Sequence, residues 1–118
     1  YTFYGMRTLE EADPEFHPYY EGAMEKRDME YHQGTVWTFP LGAYYLAYLK
    51  VHAYSERAKQ DVKEQLEVLE CALKEGCIGQ LPEIYDGKNP VSSKGCFAQA
   101  WSVGELLRVY EQIEKKKK

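Results

Sequence analysis

Apolar positions recur at helical spacing in three stretches of the chain and lose that order between them. From Pro40, the run PLGAYYLAYLKVHAY sets Leu41, Tyr44, Tyr45, Tyr48 and Leu49 three and four residues apart, giving one apolar face of a helix. Proline suits the first turn, where its missing N–H has no partner to lose. Ser55 reads as the N-cap of a second helix, which the stripe Ala58, Val62, Leu66, Leu69 and Leu73 carries to about Glu75. Gly76 fits the left-handed residue that closes such a helix. A last helix is predicted from Phe97 to Lys115, with Val103, Leu106, Leu107, Tyr110 and Ile113 on its buried side.

The intervening segments read as loops. Residues 1–33 are broken by Gly5, Pro14, Pro18 and Gly22, yet aromatic residues recur in them: Tyr1, Phe3, Tyr4, Phe16, Tyr19 and Tyr20. A segment this long is expected to be a functional loop or a cover over something. Residues 76–96, which include GCIGQLPEIYDGKNPVSSKG, join the second helix to the last. No alternating strand pattern stands out. The predicted fold is all-α, three long helices with long loops, and such loops can build a site on a rigid scaffold.

Composition narrows the partners. At 118 residues the chain is expected to be a single domain, 1–118, and 44% hydrophobic residues are enough for a core. The net charge is −4, and with the lysine tail 115–118 set aside, 11 basic side chains face 19 acidic ones, net −8. Nucleic acid needs a basic patch, so it is not an expected partner. The tail reads as a solvated end. No run of about 18 apolar residues offers a membrane span. The start has no secretory signal pattern, and its YTFYGMRTL, without an initiator Met, reads as a piece of a longer chain. Cys71, Cys77 and Cys96 are odd in number without CxxC spacing, and His17, His32 and His52 show no HxxxH pattern. Reduced thiols, a cytoplasmic setting and no metal are therefore expected.

Two short stretches hold the chemistry. YHQGTVWTFP (31–40) and GCFAQAWS (95–102) each set a tryptophan beside an amide and a glycine. Tryptophan presents an apolar face to a sugar ring, although a tryptophan in a helical protein is more often core. His32 and Gln33 each offer a donor and an acceptor, the pairing a vicinal diol needs, and internal hydrogen bonding is an equal reading. Gln99 stands on the first turn of the last helix. Glu83 follows Pro82 in the glycine-rich loop, away from any charged helical face. Glycosidic hydrolysis uses two carboxylates, one to protonate the leaving oxygen and one to activate water or attack the sugar. On the residues alone, a solvated loop acid is the commoner reading of Glu83. Asp86 in YDGK reads as a turn residue. Asp28 and Glu30 could orient His32, with capping or solvation as an equal alternative.

Four blocks together resemble a known family. GMRTL (5–9), RDMEYHQGTVW (27–37), LPEIYDG (81–87) and GCFAQAWSVGELLR (95–108) are similar, in order and spacing, to the C-terminal catalytic region of glycogen debranching enzymes, the amylo-α-1,6-glucosidase family. The resemblance implies part of an α/α toroid of the glucoamylase-like kind. It also implies inverting hydrolysis of the α-1,6-linked glucose at a trimmed branch of glycogen or another branched α-glucan, without metal or organic cofactor. Glu83 matches the general base. Tyr31, His32, Gln33 and Trp37 fall in the block that lines the sugar pocket, and Gln99 and Trp101 in the block beneath it. Asp28 matches without a role. The family's general acid is an aspartate in an earlier block that has no counterpart here, since Asp13 and Asp28 lie in the wrong motif. TFPLGAYYLAY also departs from the family's PW. The chain alone is thus expected to be nearly inactive, and to self-associate through helix faces left uncovered. The alternatives are another α/α-toroid glycosidase, glucoamylase-like or trehalase-like, and a non-catalytic carbohydrate-binding module.

Overall fold

A computed structural model describes residues 2–75 and 78–115. The expected closing glycine, Gly76, the thiol of Cys77 and the last three lysines lie outside the described residues.

The apolar stripes form a helical layer. Helix α2 spans Pro40–Val51 with Pro40 in its first turn, and α3 spans Glu56–Glu70. The Ser55 side chain caps α3 by accepting the backbone N–H of Ala58 at 3.2 Å, which satisfies one of the donors a helix start leaves open. The stripe of α3 continues past Glu70 as a tighter 3-10 turn, Cys71–Lys74, rather than as α-helix. Helix α4 spans Ala100–Glu114, three residues shorter at its start than expected. It packs against α2 and α3. Leu41, Tyr45 and Leu49 from α2, Ala58, Val62, Leu66 and Leu69 from α3, and Leu106 and Val109 from α4 form one buried cluster with Ala72 and Leu81. Within α4 the buried side steps through Ser102, Leu106 and Val109, so Leu107, expected inside, is exposed. Lys59 is buried by the same packing. Its ammonium is held by Glu56 and by the carbonyl of Lys115 at the end of α4, each at 3.2 Å, as a buried charge requires.

The rest of the molecule overturns the all-α expectation. Four strands, β1 (Met6–Arg7), β2 (Val36–Trp37), β3 (Ile84–Tyr85) and β4 (Ser93–Lys94), form one antiparallel sheet in the order β1-β2-β3-β4. A further helix, α1 (Met24–His32), lies within the segment expected to be irregular. The fold is mixed α and β, and the expected all-α piece of an α/α toroid, three long helices with long active-site loops, is not what the chain forms. The physical reason is local. Each strand has two residues, too few for the alternation that marks a half-buried strand. Of the nine residues in α1, only Glu30 is buried, so no apolar stripe advertises it.

The sheet is held by close backbone approach. A Cβ on Gly87 would stand 1.9 Å from the carbonyl oxygen of Gly34, so the turn after β3 can touch the chain before β2 only because Gly87 lacks a side chain. The segment 16–20 then lies across this junction. His17 N–H donates to the carbonyl of Gln33 and Gly87 N–H to that of Pro18, both at 2.6 Å. Within the N-terminal stretch, His17 and Pro18 thus cover the junction.

Candidate functional site

The register of the sheet assembles the conspicuous sequence blocks. Val36 pairs with Tyr85 and Trp37 with Ile84, which brings YHQGTVW against LPEIYDG. Ile84 pairs with Lys94, so GCFAQAWS leaves the sheet beside the same strand. Met6 pairs with Trp37 on the other side, adding GMRTL. Glu83 directly precedes β3, at the meeting point of these segments.

Glu83 is held by main chain and side chain together. Its N–H donates to the carbonyl of Cys96 at 2.8 Å, one residue beyond the position that faces it in the β3–β4 register. The Cys96 N–H returns a bond to Glu83 Oε2 at 3.0 Å. The Tyr31 hydroxyl donates to the other oxygen, Oε1. Gly95, at φ +68°, lets the strand turn there, and a Cβ on it would fall 2.7 Å from Oε2. Two further bonds fix the segment to α4. The buried Ser102 hydroxyl donates to the Pro82 carbonyl at 3.0 Å, and the Gln99 N–H to the Leu81 carbonyl at 2.8 Å. The Gln99 bond accounts for the late start of α4: its N–H is engaged by the Leu81 carbonyl just before the helix begins.

An aromatic cluster borders the carboxylate. The ring of Trp37 meets that of Tyr31 edge-on at 4.7 Å between centroids and that of Trp101 at 6.3 Å. Trp101 stacks on Phe39 at 4.6 Å, with 25° between the planes, and remains 48% exposed. Such a half-exposed, backed indole can receive an apolar sugar face. Tyr20, from the covering segment, approaches Tyr31 at 5.7 Å. The Tyr31 carbonyl accepts from Thr35 Oγ1 at 2.9 Å and from Trp37 Nε1 at 3.2 Å, which fixes the end of α1 to β2. Burial, and then the bond to Glu83, push the Tyr31 phenol well above its ordinary pKa. It therefore remains a protonated donor throughout the neutral range.

Of the residues singled out from the sequence, Glu83, Tyr31, Trp37 and Trp101 share this cluster. His32 is exposed and touches it through its ring, 5.0 Å from Tyr31. Gln99 joins by its backbone. Gln33 is tied through its carbonyl to His17, and its Oε1 is buried without a hydrogen-bond partner among the described residues. Phe39 was not singled out, although it stands two residues from Trp37 in WTF. Gly95 was not either, since a glycine before a cysteine carries no chemistry by itself.

Two of the other acids singled out, Asp86 and Glu30, are occupied. Asp86 is 4% exposed, with Oδ1 accepting the Tyr20 N–H at 3.0 Å and Lys94 Nζ 3.9 Å from Oδ2. Burial raises its pKa, against the lowering effect of the Tyr20 N–H and Lys94. Glu30, 3% exposed, accepts the Glu21 N–H at 2.9 Å and pairs with Lys26 at 3.5 Å. Both hold loops to the sheet and to α1, while Asp28 lies exposed on α1. Among the described residues, no group of three or more His, Cys, Asp or Glu is arranged to hold a metal ion, and no helix is long and apolar enough to cross a membrane.

No curated protein and no solved structure matches the chain. A family model does, that of amylo-alpha-1,6-glucosidase, over residues 1–108. The matched region runs from the first strand through the Glu83 loop to the third turn of α4, and so contains all four blocks that the sheet assembles. The chain therefore belongs to the amylo-α-1,6-glucosidase family and is a region related to glycogen debranching enzymes.

Proposed function

We propose that the chain carries the base side of an inverting α-1,6-glucosidase site that releases branch-point glucose from glycogen or a related branched α-glucan. Glu83 is the general base. It takes a proton from a water molecule, whose oxygen attacks the anomeric carbon as the bond to the branch oxygen breaks. A carboxylic acid elsewhere in a longer protein protonates that leaving oxygen, because inversion needs both groups on opposite faces of the sugar. Trp37 and Trp101 supply apolar faces for the sugar, and His32 and Gln99 supply polar contacts to its hydroxyls.

One observation carries this reading. The Glu83 carboxylate stands beside a half-exposed aromatic cluster, with each oxygen accepting one hydrogen bond and keeping a second lone pair. A held carboxylate with a free lone pair can take a proton from water, and the exposed indole beside it can seat the sugar.

The test is glucose release from a phosphorylase limit dextrin by the full-length protein, comparing wild type with Glu83→Gln. Loss of the base is expected to lower the rate by ~10²–10⁴-fold with thermal stability unchanged. Near-wild-type release by the variant would refute the assignment. Dextrin binding by a wild-type protein that releases no glucose would favour a carbohydrate-binding module instead.

A further inference from the structure

We infer that Tyr31 is a positioning residue that acts through Glu83, its phenol holding the carboxylate rather than the sugar. The inference rests on the reading of Glu83 as the base. Its warrant is geometric. The Tyr31 hydroxyl donates to Glu83 Oε1 while the Cys96 N–H donates to Oε2, so the carboxylate is gripped at both oxygens from two different elements. On the Oε2 side the space left by Gly95 brings the backbone close enough to donate. On the Oε1 side Tyr31 is itself fixed, with its carbonyl bonded to Thr35 and Trp37 and its ring placed between Trp37 and Tyr20.

A glutamate side chain has three rotatable bonds, and each added orientation moves its oxygens away from the attacking water. Displacement of a reacting group by about 1 Å can cost on the order of a hundredfold in rate. The elevated pKa of Tyr31 fits a donor that is never deprotonated at working pH. With its hydroxyl engaged by Glu83 and its ring flanked by two aromatic residues, Tyr31 is poorly placed to be a sugar platform, a part better suited to Trp101.

The experiment uses the full-length protein with Tyr31→Phe, Glu83→Ala and the double variant, assayed on limit dextrin with and without sodium azide. Azide needs no proton removed. It forms a C1–N bond as the C1–O bond breaks, and the general acid still protonates the leaving oxygen, so it replaces both water and base. Tyr31→Phe in the wild-type background is expected to lower kcat by about ten- to a hundredfold with KM little changed. In the Glu83→Ala background the same change is expected to cost nothing further, in the azide reaction or, where azide adds nothing, in residual hydrolysis. Gly95→Ala, which crowds Oε2, should repeat the fall in kcat at constant KM. An equal loss from Tyr31→Phe in both backgrounds would overturn the inference, because the residue would then act on sugar or fold. So would a rise in KM at unchanged kcat, the mark of a substrate contact. Near-normal glucose release by Glu83→Ala would overturn the base reading and this inference with it, and so separates the two failures.

Discussion

The helical layer and the sheet region are built by opposite means. In the helical layer, α2, α3 and α4 bury aliphatic side chains against one another, and many similar contacts share the stabilisation. In the sheet region, four two-residue strands are stitched by single contacts: a glycine against a carbonyl, a serine hydroxyl to a proline carbonyl, a backbone N–H to an aspartate. Redundant packing tolerates change because the loss is spread over many neighbours. Single contacts do not, but they can place a carboxylate and an indole in one orientation. The candidate site therefore stands on the region with less redundancy.

The sharpest way to break this contrast is Gly87→Ala. A methyl group 1.9 Å from the Gly34 carbonyl cannot be absorbed by a rotamer change, so the junction of β2 and β3 must part. Glucose release should be abolished. Hydrogen exchange should rise through residues 33–37 and 81–87 while α2 and α3 keep their protection, and uniform loss of protection would show that the two regions fold as one unit. Leu66→Ala should do the reverse. It empties a fully buried position of the helical core and is expected to cost about 2–5 kcal/mol in denaturant unfolding, with the rate per folded molecule retained.

Ser102→Ala probes the link between the regions. It leaves the buried Pro82 carbonyl without its donor, a loss of about 1–3 kcal/mol. Unlike Leu66→Ala, it should lower kcat as well, because the Glu83 loop hangs on that bond. Both parameters should move together, and a change in stability alone would detach the loop from α4.

The smallest effect is a pH dependence. The folded state holds the Asp86 proton more tightly than the unfolded chain does, chiefly through burial. As pH rises from the ordinary aspartate range through the higher folded value, the unfolded state sheds its proton first and stability falls. Asp86→Asn keeps an acceptor for the Tyr20 N–H and removes this titration. The difference in melting temperature between wild type and variant should therefore shift in the variant's favour across that interval and be level above it.

The same contrast decides what could be read in the sequence. The stripe and caps of α2 and α3 are repeated signals, so Pro40, Ser55, Val62, Leu66 and Leu69 were legible. The sheet was not, because Val36–Trp37 or Ile84–Tyr85 alone has no period. Helix α1 was hidden by its polar surface. In α4 the residues before Ala100 continue an apolar pattern, but the bond from Gln99 to Leu81 takes them out of the helix. Glu83, Tyr31, Trp37 and Trp101 were singled out through their blocks. Their convergence was not, because it depends on strand register between segments about fifty residues apart in sequence, which no local window contains. Phe39 and Gly95 were missed for a related reason: an aromatic residue and a glycine acquire a role only from what stands opposite them.

The placement of Trp37 and Trp101 has an optical consequence. They are the two tryptophans of the chain, and their rings lie 6.3 Å apart. Emission excited at the red edge of the chain's absorption thus arises wholly beside Glu83 and ignores the packing of α3. The paired indoles should also couple in the near-ultraviolet circular dichroism spectrum. In this chain, intrinsic fluorescence is a built-in reporter of the candidate site, and a quiet one for the state of the helical core.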